Sequence, residues 1–172
     1  MITKDDLNSE EFNPYYQQYI DKTAGLSLQE GLKESGDQTI IFLESIALDK
    51  LEHAYEDGKW TIKEIIQHLI DTERIFTYRA LRIARKDQTA LPGFDQDQFA
   101  SVSHANARSI DDLMNDYKAV RLSTLILFDS FNDAILKTKG IASESPLSVR
   151  AVGFIVIGHE MHHCQIIRER YL

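Results

Sequence analysis

Along most of the chain, apolar residues recur at intervals of three and four, the spacing that places them on one face of an α-helix. Leu28, Leu32, Ile40, Leu43 and Ile46 mark the first such run and predict a helix over Leu28–Ser45. Ser27 precedes it and Glu30 follows three residues on, the signature of a capping box. Glu34-Ser35-Gly36-Asp37 interrupts the run, and glycine inside a helix costs about 1 kcal/mol relative to alanine. Ile62, Ile65, Ile66, Leu69, Ile70, Ile75, Phe76, Leu81 and Ile83 predict a second, long helix over Ile62–Lys86, opened by a Thr61/Glu64 capping box. Leu113, Met114, Tyr117, Val120, Leu125, Leu127 and Phe128 predict a third over Ile110–Asn132, with Ser109 and Asp112 at its start. The fourth spans Leu147–Arg170 on Val149, Val152, Phe154 to Ile157, Met161 and Ile166. Arg168 and Arg170 close it, which suits the negative end of the helix dipole.

The intervening stretches read as connections. Residues 1–26 form an arm with a short helical turn or extended backbone. Residues 47–59 carry the turn chemistry of Glu56-Asp57-Gly58. Residues 87–108 form a long loop between the second and third helices, of a length that is usually functional or ordered by what it packs on. Lys139-Gly140 and Ser143 to Pro146 make a further loop. No run alternates with period two, and no strand–turn–strand or βαβ order is visible. Four long helices with loops between them predict an all-α four-helix bundle, a single domain over residues 1–172 with an N-terminal arm.

Charge and composition narrow the function. With 19 Lys+Arg against 27 Asp+Glu, the formal net charge is −8, which argues against a binder of nucleic-acid phosphate backbones. Arg79, Arg82, Arg85 and Lys86 form only a short basic run. Arg79 and Arg82 could bind a carboxylate in a pocket, and are read as a solvated helix face. Cys164 is the only cysteine, so no internal disulfide is expected, and it is read as a buried, inert thiol. The polar, acidic N-terminus has no signal-peptide core, and no apolar run reaches membrane-spanning length. A cytoplasmic protein is expected, with neither membrane nor nucleic acid as partner.

Chemistry concentrates in the last helix. Three of the six histidines fall within five residues of Gly158-His159-Glu160-Met161-His162-His163-Cys164. His159 and His163 are spaced i, i+4 and stack on one face, so two imidazoles can share one metal ion. Their neighbours are apolar, and a polar group facing the core needs a partner. His68, among Ile65, Leu69 and Ile75 in the second helix, is the best candidate for a third ligand, since bundle-core metal sites draw side chains from facing helices. Three neutral imidazoles with an open position suit a divalent ion such as Zn, Ni or Fe. His162 is turned about 100° round the helix from His163 and should not share that ion. His53 and His104 lie on loops with no evident partner, and Tyr78 and Phe94 are read as core. Asp71, three residues after His68, is placed to orient an imidazole; no residue is assigned as catalytic acid or base. Glu73 and Glu160 should face away. His159-Glu160-x-x-His163 matches the H-E-x-x-H protease motif literally. That motif needs a third ligand downstream, and only Glu169 follows among the carboxylates.

These segments resemble the DinB/YfiT-like metalloenzyme family. The resemblance runs from about Leu28 to Leu172 and rests on Lys59-Trp60-Thr61 through Thr72-Glu73, on Tyr78-Arg79-Ala80-Leu81-Arg82-Ile83-Ala84-Arg85, on Leu91-Pro92-Gly93-Phe94-Asp95, and on Gly158 to Ile166. The family has one histidine early in the second core helix and an H-x-x-x-H pair in the fourth, the positions of His68, His159 and His163. It implies an up-down-down-up bundle or a similar one, a three-histidine divalent metal site, and often a homodimer. It also implies metal-dependent hydrolysis or transfer of a low-molecular-weight thiol, acting on a small molecule. The rival reading is a non-catalytic metal-binding or dimerisation bundle.

Overall fold

The computed structural model describes residues 1–172. A short helix α1 (Gln17–Ile20) sits in the N-terminal arm among 3-10 turns, followed by α2 (Leu28–Glu44), α3 (Ile62–Ala84), α4 (Gln96–Val102), α5 (Ile110–Asp129), α6 (Asp133–Leu136) and α7 (Val149–Arg170), with strands β1 (Lys139–Ala142) and β2 (Ser145–Ser148) between the last two helices. Helices α2, α3, α5 and α7 form the bundle.

Neighbouring pairs fix the directions. Thr61, just before α3, and Arg74 on it meet Asn106, just before α5, and Asp116 on it, in the same order, so α3 and α5 run parallel. Tyr171 at the end of α7 bonds Trp60, before α3, while His68 meets His159, so these two helices are antiparallel. Leu28 lies against Gly153, and Thr39 against Cys164, making α2 parallel to α7. The bundle is therefore up-down-down-up. No helix is long and apolar enough to cross a membrane.

Two helix starts follow their capping residues closely. Thr61 and Glu64 exchange side-chain and backbone bonds at the head of α3, and Ser109 accepts from the Asp112 N–H at the head of α5. The box expected at α2 does not form: the Ser27 hydroxyl donates to the Glu30 carboxylate instead of accepting a backbone N–H. Two connections differ from expectation. The long loop contains α4, whose first N–H groups are capped by the Asp95 carboxylate. Residues 139–148 form an antiparallel hairpin rather than a loop. Its turn, Ser143-Glu144, has both residues at positive φ, 49° and 61°. Hairpin turns of that shape favour Asn-Gly or Asp-Gly, so Ser-Glu left no readable signal.

The core is divided. One apolar cluster includes Leu28, Leu32, Phe76, Ile83, Phe128, Val149 and Phe154. The other includes Leu43, Ile62, Ile66, Ile70, Leu113, Tyr117 and Ile167. Between them every helix changes to polar or small residues at one level: Ser35, Gly36 and Thr39 on α2; His68, Thr72 and Glu73 on α3; Arg121 and Thr124 on α5; His159, Glu160 and Cys164 on α7. Buried polar groups survive only when partnered, and no fully buried side-chain N or O lacks a partner here. This belt positions the site.

Candidate metal centre

The charged half of the belt is built around Arg121. All five of its N–H groups are used: Nε and Nη2 donate to Glu73 (2.9 and 2.8 Å), Nη1 and Nη2 to Glu160 (2.8 and 2.7 Å), and Nη1 also to the Leu32 carbonyl (3.0 Å). The Thr124 and Tyr117 hydroxyls complete the two carboxylates. A Cβ on Gly36 would stand 2.6 Å from Arg121 Nη1, which explains a glycine in mid-helix. Glu73 and Glu160 face away from the histidines, as the helical spacing predicts. Glu160 is committed to Arg121, which removes it as the general base that a protease reading of H-E-x-x-H requires.

The histidine half lies on the other side of α7. His68, His159 and His163 each bring one ring nitrogen to a common point, all within 4.8 Å of one another. His159 Nε2 is 3.1 Å from His68 Nε2 and 3.1 Å from His163 Nε2. Burial pushes the His68 imidazole down to about 4. Burial, reinforced by His68 and His162, pushes His163 down to about 3. Burial and then its three histidine neighbours hold His159 well below the usual imidazole range. All three are neutral at pH 7, the state in which imidazole offers a lone pair.

Hydrogen bonding alone does not satisfy this cluster. The single Nε2 of His159 has one proton or one lone pair to divide between two neighbours, and no carboxylate joins the group. A cation between the three nitrogens satisfies them all. Nitrogens about 2.05 Å from one tetrahedral ion stand about 3.3 Å apart, close to the 3.1 Å contacts of two of the three pairs, the third pair lying within 4.8 Å. The donor set fits a divalent ion.

Surrounding side chains hold the imidazoles in place. The Thr72 hydroxyl lies 3.3 Å from His68 Nδ1, the position expected for Asp71. Asp71 instead accepts from Gln67 and pairs with Arg74, because it lies on the flank of α3 facing α5. The Tyr19 ring meets His159 and His162 edge-on, both at 5.3 Å, and Trp60 stacks on His163 at 6.5 Å. Tyr19 comes close because α1 crosses α7 at Gly158, where a Cβ would lie 1.9 Å from the Tyr19 carbonyl oxygen.

Two sizeable cavities reach the cluster. One of about 330 Å³ is lined by His68 and His159 with Tyr16, Phe76, Arg79 and Phe94. The other, about 590 Å³, is lined by His163 and His162 with Trp60, Tyr55 and Ile166. Arg79 is buried in the first cavity's wall and not on a solvated face, whereas Arg82 does lie at the surface, paired with Asp87 and Tyr78. Tyr78, expected in the core, is half-exposed. Cys164 is buried beside the Thr39 hydroxyl at 3.6 Å, and burial raises its thiol to about 11. Thr72, Trp60 and Tyr19 carry no signal in the sequence as site residues, since their roles depend on approaches between distant segments; for Arg79 the structure supports the pocket over the solvated face.

A family model of the DinB superfamily matches residues 32–167. The chain belongs to the DinB superfamily. Among solved structures this DinB-superfamily chain is similar to YfiT from Bacillus subtilis, a probable metal-dependent hydrolase with an unusual four-helix bundle topology. The identity is 15%, the TM-score 0.74, and the match covers 95% of this chain and 90% of that one; at that identity the likeness speaks for the fold. No curated protein matches the sequence.

Proposed function

We propose that this protein is a metal-dependent hydrolase of small molecules, with His68, His159 and His163 as the ligands of one divalent ion. The observation that carries the reading is the convergence of three neutral imidazole nitrogens where a cavity reaches them. When bound, such an ion supplies a lowered pKa for a coordinated water or thiol and polarises a substrate carbonyl or similar group. The chain's own residues do the rest. Thr72 holds His68 by its Nδ1, which leaves Nε2 turned inward. Trp60 and Tyr19 cover the imidazoles and limit water to the cavities. The Arg121 network keeps Glu160 and Glu73 out of the site while tying all four bundle helices at its level.

A second reading, transfer of a low-molecular-weight thiol, is favoured by the larger cavity at His163. Group transfer needs room for two molecules at one centre, and the imidazoles lie between two cavities. A homodimer belongs to the same proposal; Leu122 and Ile126, one turn apart on α5, are each about 60% exposed and offer an apolar stripe to a second copy, which light scattering tests.

Metal analysis of protein purified without a histidine tag tests the centre. About one equivalent of Zn, Ni or Fe is expected, lost in His68→Ala. A stoichiometry near zero after reconstitution overturns the reading. Turnover of ester and amide panels, against thiol plus electrophile panels, then separates hydrolysis from transfer.

A further inference from the structure

Three arginines are buried in this protein: Arg79, Arg121 and Arg150, with 3%, 4% and 8% of their surface exposed. Two of them are matched by carboxylates. Arg121 has Glu73 and Glu160. Arg150 has Glu11, which accepts from both its Nε and Nη2. Arg79 takes part in none of the protein's ion pairs. Its Nη2 donates to the Pro92 carbonyl at 2.7 Å and to Ser143 Oγ at 3.0 Å. The Phe76 and Phe94 rings lie 5.5 and 6.0 Å from its Cζ. These contacts hold the guanidinium without neutralising it.

Beyond these, the guanidinium interacts with the neutral Tyr16 hydroxyl, and no carboxylate or further carbonyl accepts from Nε or Nη1. The guanidinium borders a void. That void is the 330 Å³ cavity whose other end is formed by His68 and His159. A buried charge without a counter-charge is costly to fold around. Placed in a cavity wall, it gives back that cost to any anion that enters.

We propose that Arg79 anchors a carboxylate of the substrate, and that the substrate is a small, elongated carboxylic acid with an apolar or aromatic body. A carboxylate matches the charge: one negative group neutralises one guanidinium through a charge-assisted bond from Nε or Nη1, Nη2 being taken by Pro92 and Ser143. A phosphate dianion would leave a surplus charge in an aromatic cavity. The body of the molecule faces Phe76, Phe94, Tyr16 and Tyr19. Arg79 lies eleven residues after His68, three turns along the same face of α3 and roughly 16 Å of helix rise away. Its guanidinium reaches back over Phe76, so an anchored acid extends towards the imidazoles. The proposal rests on the metal-centre reading only for which end of the molecule reacts.

The test is an NMR titration of chelator-treated protein, which prevents a carboxylate from binding an ion directly. The probes are phenylacetate, phenylacetamide and phenyl phosphate. Phenylacetate is expected to bind at least about tenfold tighter than phenylacetamide, as a charge-assisted pair replaces a neutral one, and to shift the Arg79 Nε–H resonance. Arg79→Gln should abolish that preference and Arg79→Lys should keep part of it. Equal affinity for acid and amide, no detectable binding of the acid, or undiminished preference in Arg79→Gln overturns the proposal. Tighter binding of phenyl phosphate overturns the carboxylate and assigns a phosphate ester. Should Arg79→Gln fail to fold, the acid–amide comparison on the unaltered protein decides. Metal uptake by Arg79→Gln is measured in parallel and should be unchanged. Absence of uptake in both proteins, with the unaltered protein still preferring the acid, refutes the metal centre and leaves the anion site standing.

Discussion

Removing Arg121 isolates the energetics of the belt beneath the imidazoles. In Arg121→Met the five N–H donors vanish together, while Glu73 and Glu160, with side chains 5% and 2% exposed, stay buried. Each carboxylate retains one hydroxyl partner, Thr124 or Tyr117, and each now faces a like charge. Removing one partner of a buried ion pair costs about 3–5 kcal/mol, chiefly through the charge left behind. Unfolding entropy near 2.1 cal/mol/K per residue gives about 0.36 kcal/mol/K for a chain of 172 residues. The loss therefore corresponds to about 8–14 °C in Tm. Calorimetry on metal-free protein measures it, since a bound ion would add its own stabilisation. The control is the triple variant Arg121→Met, Glu73→Gln, Glu160→Gln, which deletes the charges as a set. It should recover most of the loss, because the cost lies in uncompensated charge rather than in lost bonds. A drop below about 3 °C in the single variant, or no recovery in the triple, would refute this account of the belt.

Thr72→Val should weaken metal affinity about 10–100-fold, the usual effect of losing a group that orients a ligand, as read by competition with a chromogenic chelator. Gly158→Ala should destabilise the protein by more than the gain in helix propensity, because the new methyl meets the Tyr19 backbone carbonyl and not a movable side chain; protease sensitivity should rise in the N-terminal arm. Glu11 responds to acid. Burial pushes its carboxyl up, but bonds from Arg150, Ser148 and the Asn8 N–H outweigh this and hold it below its ordinary value of 4.5. Its contribution is complete above that pH and is lost as pH falls through the folded value. Tm below pH 4.5 should therefore fall less steeply in Glu11→Gln than in the unaltered protein. Glu160→Gln should leave metal stoichiometry intact, and its loss would return Glu160 to the site.

The periodic placement of Leu, Ile and Phe determined four helices, and Thr61 with Glu64 marked the start of α3 to the residue. Periodicity and capping act within one or two turns, so they can be read locally. The same reasoning put His159 and His163 on one face and turned Glu160 and His162 away. Where the tertiary structure decided, the cause was an approach between distant segments. His68 meets His159 only because α3 and α7 are antiparallel neighbours. The 143–144 turn adopts a left-handed shape without Asn or Gly, held by a hairpin packed on the bundle end. Thr72 rather than Asp71 reaches His68 because of the angle each takes round α3. Arg79 shows the limit most clearly. Along the chain it belongs to a basic run suited to solvent, and only the packing of Pro92 and Ser143 over it turns a surface charge into a buried one, open on a single side to the cavity of the imidazoles.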